Sequence, residues 1–217
     1  MRKTFSPLIC WDFHFRTIIH TNKNLPELTC AEFEKLNLTS FSWIHFEGRN
    51  LEQVKLMMRH VKKTFPRLTV SVEVEKINRN FEELIPFGDV VFISKDIAQN
   101  HGAKTPTEAL ELFKGQLKSK AKIIYPWGDK GATAFDFETG QCFNSPACPP
   151  ENGIVDTLGA GDTFNGSVIG ALNSGMDLGS AIRLGCKVAG AKVGQRGFAG
   201  LKDLYSSGRT SATQKKD

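Results

Sequence analysis

Asp156-Thr157-Leu158-Gly159-Ala160-Gly161-Asp162-Thr163 sets two carboxylates around a run of nearly bare backbone. Gly159, Ala160 and Gly161 have almost no side chain, so their N–H groups can close on an anion. The apolar segment that follows predicts a helix, whose unpaired N–H groups and positive dipole end point to the same place. Asp162 stands at that end as a carboxylate able to take a proton. An anion cradle beside a base is what transfer of a phosphoryl group to a hydroxyl requires. The plainer alternative is a glycine-rich turn with an Asp capping a helix. The second Asp, the flanking threonines and Phe164-Asn165 opening a small-residue helix make the string more specific than that.

The elements around this turn alternate between strand and helix. Trp43 to Glu47 reads as a short buried strand ending at Gly48. Asn50 is expected to cap a helix to about Thr64, with Leu51, Val54, Met57, Met58 and Val61 at helical spacing. Leu68 to Val74 alternates as a strand, and Asp89 to Ser94 carries an apolar run suited to a strand covered on both faces. Thr105-Pro106-Thr107-Glu108 reads as a capping box launching a helix to about Lys118. Lys122 to Trp127 is a further strand, Gly128-Asp129-Lys130-Gly131 a turn, and Ala132 to Phe137 and Gln141 to Ser145 a hairpin. A proline-rich link at 146–150 leads to the glycine turn. Two closing helices follow, at about Gly161 to Leu172 and Leu178 to Lys192, and residues from about Lys202 read as a solvated tail. Repeated strand–helix units predict an α/β fold with a mainly parallel sheet and helices on both faces, where ligands bind at the carboxyl ends of strands.

Composition narrows the function classes. A chain of 217 residues with 40% hydrophobic and 24% charged residues suits one globular domain. The net charge of +5 is modest and scattered, without an aromatic-interleaved basic stripe, so nucleic acid is set aside and a small anionic ligand suits it. No run approaches membrane-spanning length, and no membrane partner is expected. The five cysteines (Cys10, Cys30, Cys142, Cys148, Cys186) show no zinc spacing; reduced thiols and a cytoplasmic location are expected, although Cys142 and Cys148 could pair. No metal-ligating set is assigned. His45 reads as a satisfied strand histidine and Lys62-Lys63 as a solvated helix end. Of Glu73 and Glu75, either one faces the site or both lie on the strand's polar face.

The string from Val155 to Phe164 resembles the second signature of the ribokinase-like (phosphofructokinase-B) carbohydrate kinases, most closely their fructose-phosphorylating branch. The likeness extends through Trp43-Ile44-His45-Phe46-Glu47-Gly48-Arg49-Asn50, Ser71 to Lys76, Gly88 to Asp96, Gly185 to Gly190 and Gly194 to Phe198. It spans about Arg16 to Gly200 and implies a ribokinase-like three-layer α/β/α fold. It also implies that Asp162 is the base that takes the proton from a sugar hydroxyl. Gly159, Ala160, Gly161 and the Asp162 amide would form the anion hole, Gly128, Asp129, Lys130 and Gly131 would line ATP, and Asn165 would support the nucleotide side. Arg16 would reach the phosphates and sugar. ATP with Mg2+ would be the cofactors and fructose, attacked through its 1-hydroxyl, the substrate.

Two departures from the family pattern qualify this. The family's Asn-x-x-Glu element, which organises magnesium, is replaced by Ser94-Lys95-Asp96-Ile97, where Asp96 is read either as a water-mediated metal contact or as the cap of a helix over 97–101. Residues 1–15 do not resemble the family's N-terminal portion, so its first strands, most sugar contacts and the β-lid used for dimerisation are expected to be largely missing. Residues 16–200 form the kinase-like domain in this reading, and 201–217 a flexible tail. A homodimer is expected only if a lid is present. The alternative expectation is a catalytically impaired nucleotide-binding fragment or interaction protein, or a kinase for another sugar.

Overall fold

The protein is described by a computed structural model covering residues 8–12, 15–18, 26–77 and 80–206. Two short strands, β1 (Leu8–Asp12) and β2 (Phe15–Ile18), pair antiparallel as a separate sheet. After α1 (Cys30–Phe33), the chain builds one six-stranded sheet in sequential order. It holds β3 (Trp43–Glu47), β4 (Thr69–Val74), β5 (Val90–Ile93), β6 (Lys122–Pro126), β7 (Ala132–Asp136) and β8 (Gln141–Ser145). The first four strands are parallel and the last two antiparallel, so the sheet is mixed and mostly parallel. Every expected strand is present.

The parallel strands need crossovers, which α2 (Leu51–Thr64), a 3-10 helix (Phe81–Phe87) and, together, α3 (Lys95–Asn100) and α4 (Pro106–Phe113) provide. Val54, Met57, Met58 and Val61 of α2 pack on Phe46, Val70, Val72, Val91 and Ile123, giving one core layer. The other face carries Val90, Phe92, Ile124, Ala132 and Ala134 beneath α5 (Ala160–Asn173) and α6 (Leu178–Val193). Strand alternation thus feeds two separate cores, and β5, central and wholly buried, is apolar throughout.

Several local expectations are corrected. Asn50 precedes α2 in the left-handed region, at φ 39°, and its side chain makes no cap hydrogen bond. The helix from Pro106 ends at Phe113 and tightens into a 3-10 turn over Lys114–Gln116. Its capping box is split: Thr105 accepts from the Glu108 amide, but the Glu108 carboxylate takes the Lys104 amide. Ser94, not Asp96, caps α3, because its hydroxyl reaches the Ile97 amide at 3.2 Å. Lys62 is not simply solvated; its ammonium pairs with Asp89. The expected tail opens with a helical turn over 201–206, because Leu201 finds a place in the second core. The remainder of that tail, 207–217, lies outside the described residues.

The topology places the chemistry. Strands β3 to β6 all end at one edge of the sheet, so the segments after Glu47, Val74, Ile93 and Pro126 share it. Ser145, paired with Ala132, brings β8 back to that edge, and the link from Pro146 runs on to the start of α5. Helix α5 then descends across the sheet until Asn173 accepts a hydrogen bond from Ser42, just before β3, at 2.8 Å.

Candidate active site

The glycine turn is built by its neighbours more than by itself. Gly159 is the N-cap of α5 at φ 72°, a conformation that favours glycine, and a Cβ there would lie 2.7 Å from the Phe198 ring. Thr163 closes the first helical turn with both its amide and its hydroxyl on the Gly159 carbonyl, at 2.9 and 2.7 Å. The Ala160 amide donates to Thr157 O at 3.2 Å. The Gly161 and Asp162 amides have no protein acceptor among the described residues, and both residues are exposed. A Cβ on Gly161 would meet nothing within 4 Å. Two amides without an acceptor among the described residues and an open face therefore lie at the N-terminus of α5, where Asp162 stands.

Beneath the turn lies a residue that sequence reading missed. Lys192, in the last turn of α6, has no exposed side-chain surface, yet it carries an ammonium group. It donates to Asp156 Oδ2 at 2.9 Å, Asp156 O at 3.0 Å and Gln195 O at 3.4 Å, and lies 5.4 Å from the centre of the Phe198 ring. The other Asp156 oxygen accepts from the Leu158 amide at 2.9 Å. Lys192 and then that amide hold the Asp156 carboxyl below its ordinary range. The amides of Val155 and Asp156 end on Val193 O, at 2.9 and 3.1 Å, so the C-terminus of α6 carries the approach to the turn. In the sequence Lys192 looks like any lysine at a helix end. Only the meeting of Asp156 with α6 gives it a role.

On the sheet side, a polar column runs along the face that α5 covers. Ser71, fully buried, accepts from Trp43 Nε1 and shares a hydrogen bond with His45 Nδ1, both at 2.8 Å. Burial, above all, holds the His45 imidazole below its usual range, while Glu47 and Asp162 pull it back. Next along this face Glu47 stands beside Glu73 in the strand register. Asn165, 3% exposed and one turn into α5 from Asp162, donates from Nδ2 to Glu73 Oε1 at 2.7 Å. Asn165, expected on the nucleotide side, directs its amide nitrogen to the sheet instead.

The second predicted turn, Gly128–Lys130 with Gly131, follows β6 at the same edge. Gly128, Asp129 and Lys130 are exposed, while Gly131 is buried at φ 88°, its carbonyl accepting from the Trp127 amide at 2.7 Å. A Cβ at Gly131 would sit 2.0 Å from Ser145 O, so glycine is required by both conformation and space. Arg16 lies in β2 opposite Cys10, and its side chain falls outside the described residues. Cys142 and Cys148 are free, as are Cys30 and Cys186, the last buried in the second core. Among the described residues no helix is long and apolar enough to cross a membrane.

The three-layer α/β/α frame thus carries an open glycine turn with an adjoining carboxylate at the carboxyl edge of its parallel strands. The chain belongs to the pfkB family of carbohydrate kinases, whose model matches residues 17–203. Ketohexokinase of Mus musculus is 45% identical over 192 residues, an alignment covering 86% of this chain and 64% of the mouse protein. The chain thus spans less than two thirds of that relative's length. The fold is that of ribokinases. The Cryptococcus neoformans enzyme, solved with ADP, superposes at a TM-score of 0.69 with 18% identity, covering 89% of this chain and 68% of that one. For the Thermotoga maritima ribokinase the TM-score is 0.64 with 20% identity, covering 90% and 66%.

Proposed function

We propose that this chain is an ATP-dependent sugar kinase acting on a ketohexose, converting ATP and D-fructose to ADP and D-fructose 1-phosphate. The observation that carries the reading is the exposed Asp162 carboxylate beside two amides, Gly161 and Asp162, that have no protein acceptor among the described residues. The 45% identity to mouse ketohexokinase supports fructose as the sugar.

In this reading Asp162 accepts the proton of the attacking hydroxyl as the bond to phosphorus forms. The free amides and the N-terminal dipole of α5 take up charge on the phosphoryl oxygens. Most of the acceleration is alignment, which is why the supports of the turn matter as much as its tip. Lys192, by holding Asp156, keeps the amides converging without a reacting group of its own. The Gly128–Gly131 turn, open on its outer side, is assigned to the nucleotide, and Arg16 to the phosphates and sugar.

The free amides fit an ATP phosphate. Among the described residues no group of three His, Cys, Asp or Glu is arranged to hold a metal ion. In kinases Mg2+ is held mainly by phosphate oxygens and water. When bound there, Mg2+ supplies neutralisation of phosphate charge. Unpaired thiols suit a cytoplasmic setting.

A coupled ADP-release assay on the purified chain with fructose, ribose and other sugars tests this directly. Turnover confined to ketohexoses is expected. The other outcome is nucleotide binding without turnover. Saturable binding of an ATP analogue with no sugar-dependent ADP release would favour that reading instead.

A further inference from the structure

Asn165 presents an imbalance. Its Nδ2 donates to Glu73 Oε1 at 2.7 Å, but its Oδ1 is buried with no hydrogen-bond partner among the described residues. A buried carbonyl without a donor is costly, and such groups are rare in folded proteins. The neighbouring carboxyl can supply the missing donor only if it carries a proton, for a carboxylic acid then accepts through one oxygen and donates through the other. An acid and an amide paired in this way leave neither carbonyl without a donor.

The surroundings favour the neutral form. Glu47 stands beside Glu73 in register on β3, and like charges so placed repel. Glu75 and Asp162 add negative charge from the end of β4 and from α5. His45, also on this face of β3, is itself held towards its neutral form by burial. On β5 the register partner is Phe92, which offers no charge. Two cations lie near. Arg49 is engaged with Glu47 at 3.0 Å, and Lys76 lines the recess formed with Glu47, Gly48, Glu73 and Glu75 but makes no ion pair with Glu73.

We propose that Glu73 is a positioning residue for Asp162: it holds a proton, pairs as a neutral acid with the Asn165 amide, and so fixes the first turns of α5 against β4. Asn165 is three residues beyond Asp162, on the adjoining turn of the same helix, so this lock sets the direction of the Asp162 side chain. Burial, first, and then the Glu75 charge push the Glu73 carboxyl up to about 7; Asp162 and Glu47 add to this, while the Asn165 bond opposes it. Ionisation therefore removes the donor to Asn165 and adds a charge beside the anion cradle within the neutral range. The positioning role rests on the proposed reading of Asp162 as base; the proton on Glu73 does not.

The test uses the intact chain with its glutamate side-chain carboxyl carbons labelled with carbon-13. One glutamate signal is expected to titrate near neutrality and to vanish in Glu73→Gln, whose amide can accept from and donate to Asn165 as the neutral acid does. If every glutamate titrates in the ordinary carboxyl range, the proposal is overturned, whether or not the protein has kinase activity. With fructose and ATP, the wild type should lose several-fold in kcat between about pH 6.5 and 8.5. Glu73→Gln should abolish that loss, and Glu73→Ala should lower kcat at every pH. An alkaline loss that is identical in wild type and Glu73→Gln would overturn the positioning role. Absence of turnover in all forms alongside a neutral-range glutamate would sink the kinase reading and leave the acid–amide pair standing.

Discussion

Lys192 and Asp156, 36 residues apart, meet at 2.9 Å beneath the glycine turn, with the lysine side chain wholly buried. A buried ammonium is tolerable only when its hydrogens are taken, and here a carboxylate and two carbonyls take them. The pair thus ties the end of α6 to the approach of α5, on which the placement of the Gly161 and Asp162 amides depends.

Removing the ammonium should therefore damage both stability and the anion site. Lys192→Met is expected to cost about 2–3 kcal/mol, since Asp156 loses its principal partner. Urea denaturation reads the stability, and an ATP-analogue titration should show weaker binding in protein that is still folded. Unchanged values for both would mean that the pair is incidental.

Asp162→Asn keeps the shape of the turn and removes the base. If the chain turns fructose over, the variant should lose about 10²–10⁴-fold in kcat with little change in nucleotide affinity. Equal turnover in the two proteins would exclude the role assigned to this carboxylate.

Stability should fall with rising pH through a window set by Glu73. Its folded-state value of about 7 lies above the ordinary 4.5, so between these values the folded state holds a proton that the unfolded chain has released. This contribution is complete below about pH 4.5, shrinks by about 1.4 kcal/mol per pH unit as pH rises, and is gone above about 7. Glu73→Gln should flatten that slope and stand above the wild type at pH 8. Denaturant melts at several pH values, wild type against variant, would reveal an unaltered slope if the assignment is wrong.

Two helical glycines should respond in opposite directions to alanine. A Cβ at Gly190 would fall 1.7 Å from Cys148 O, in backbone that carries the proline-rich link, so Gly190→Ala should cost about 2 kcal/mol or more. Gly166, exposed in α5, has nothing within 4 Å of its Cβ position, and Gly166→Ala should gain about 0.5–1 kcal/mol. Thermal melts distinguish the two, and equal shifts would contradict the close packing of α6 on that link.

Much of this architecture is legible in local pattern because the signals are local. The apolar run Val90 to Ile93 announces a strand covered on both faces, and the spacing of Val54, Met58 and Val61 announces the face of α2 that turns to the core. The glycine turn is legible for the same reason: it needs small residues, a positive φ at Gly159 and a carboxylate in the next turn, all within eight positions. Where local signals compete, pattern misleads. Asn50 and Asp96 both look like caps, but the backbone entering α2 is left-handed and Ser94 lies nearer the free amides of α3.

Residue types and spacing alone settle that a strand–helix alternation leads to a glycine turn with Asp162 in it, because these features depend on neighbours in the chain. The tertiary structure alone decides which distant side chains support that turn. Lys192 becomes the cation under Asp156, and Glu73 rather than Glu75 becomes the partner of Asn165. Those choices depend on burial and on the register of β3 and β4. A lysine or glutamate acquires such a role only when folding removes water from around it and leaves one group within reach.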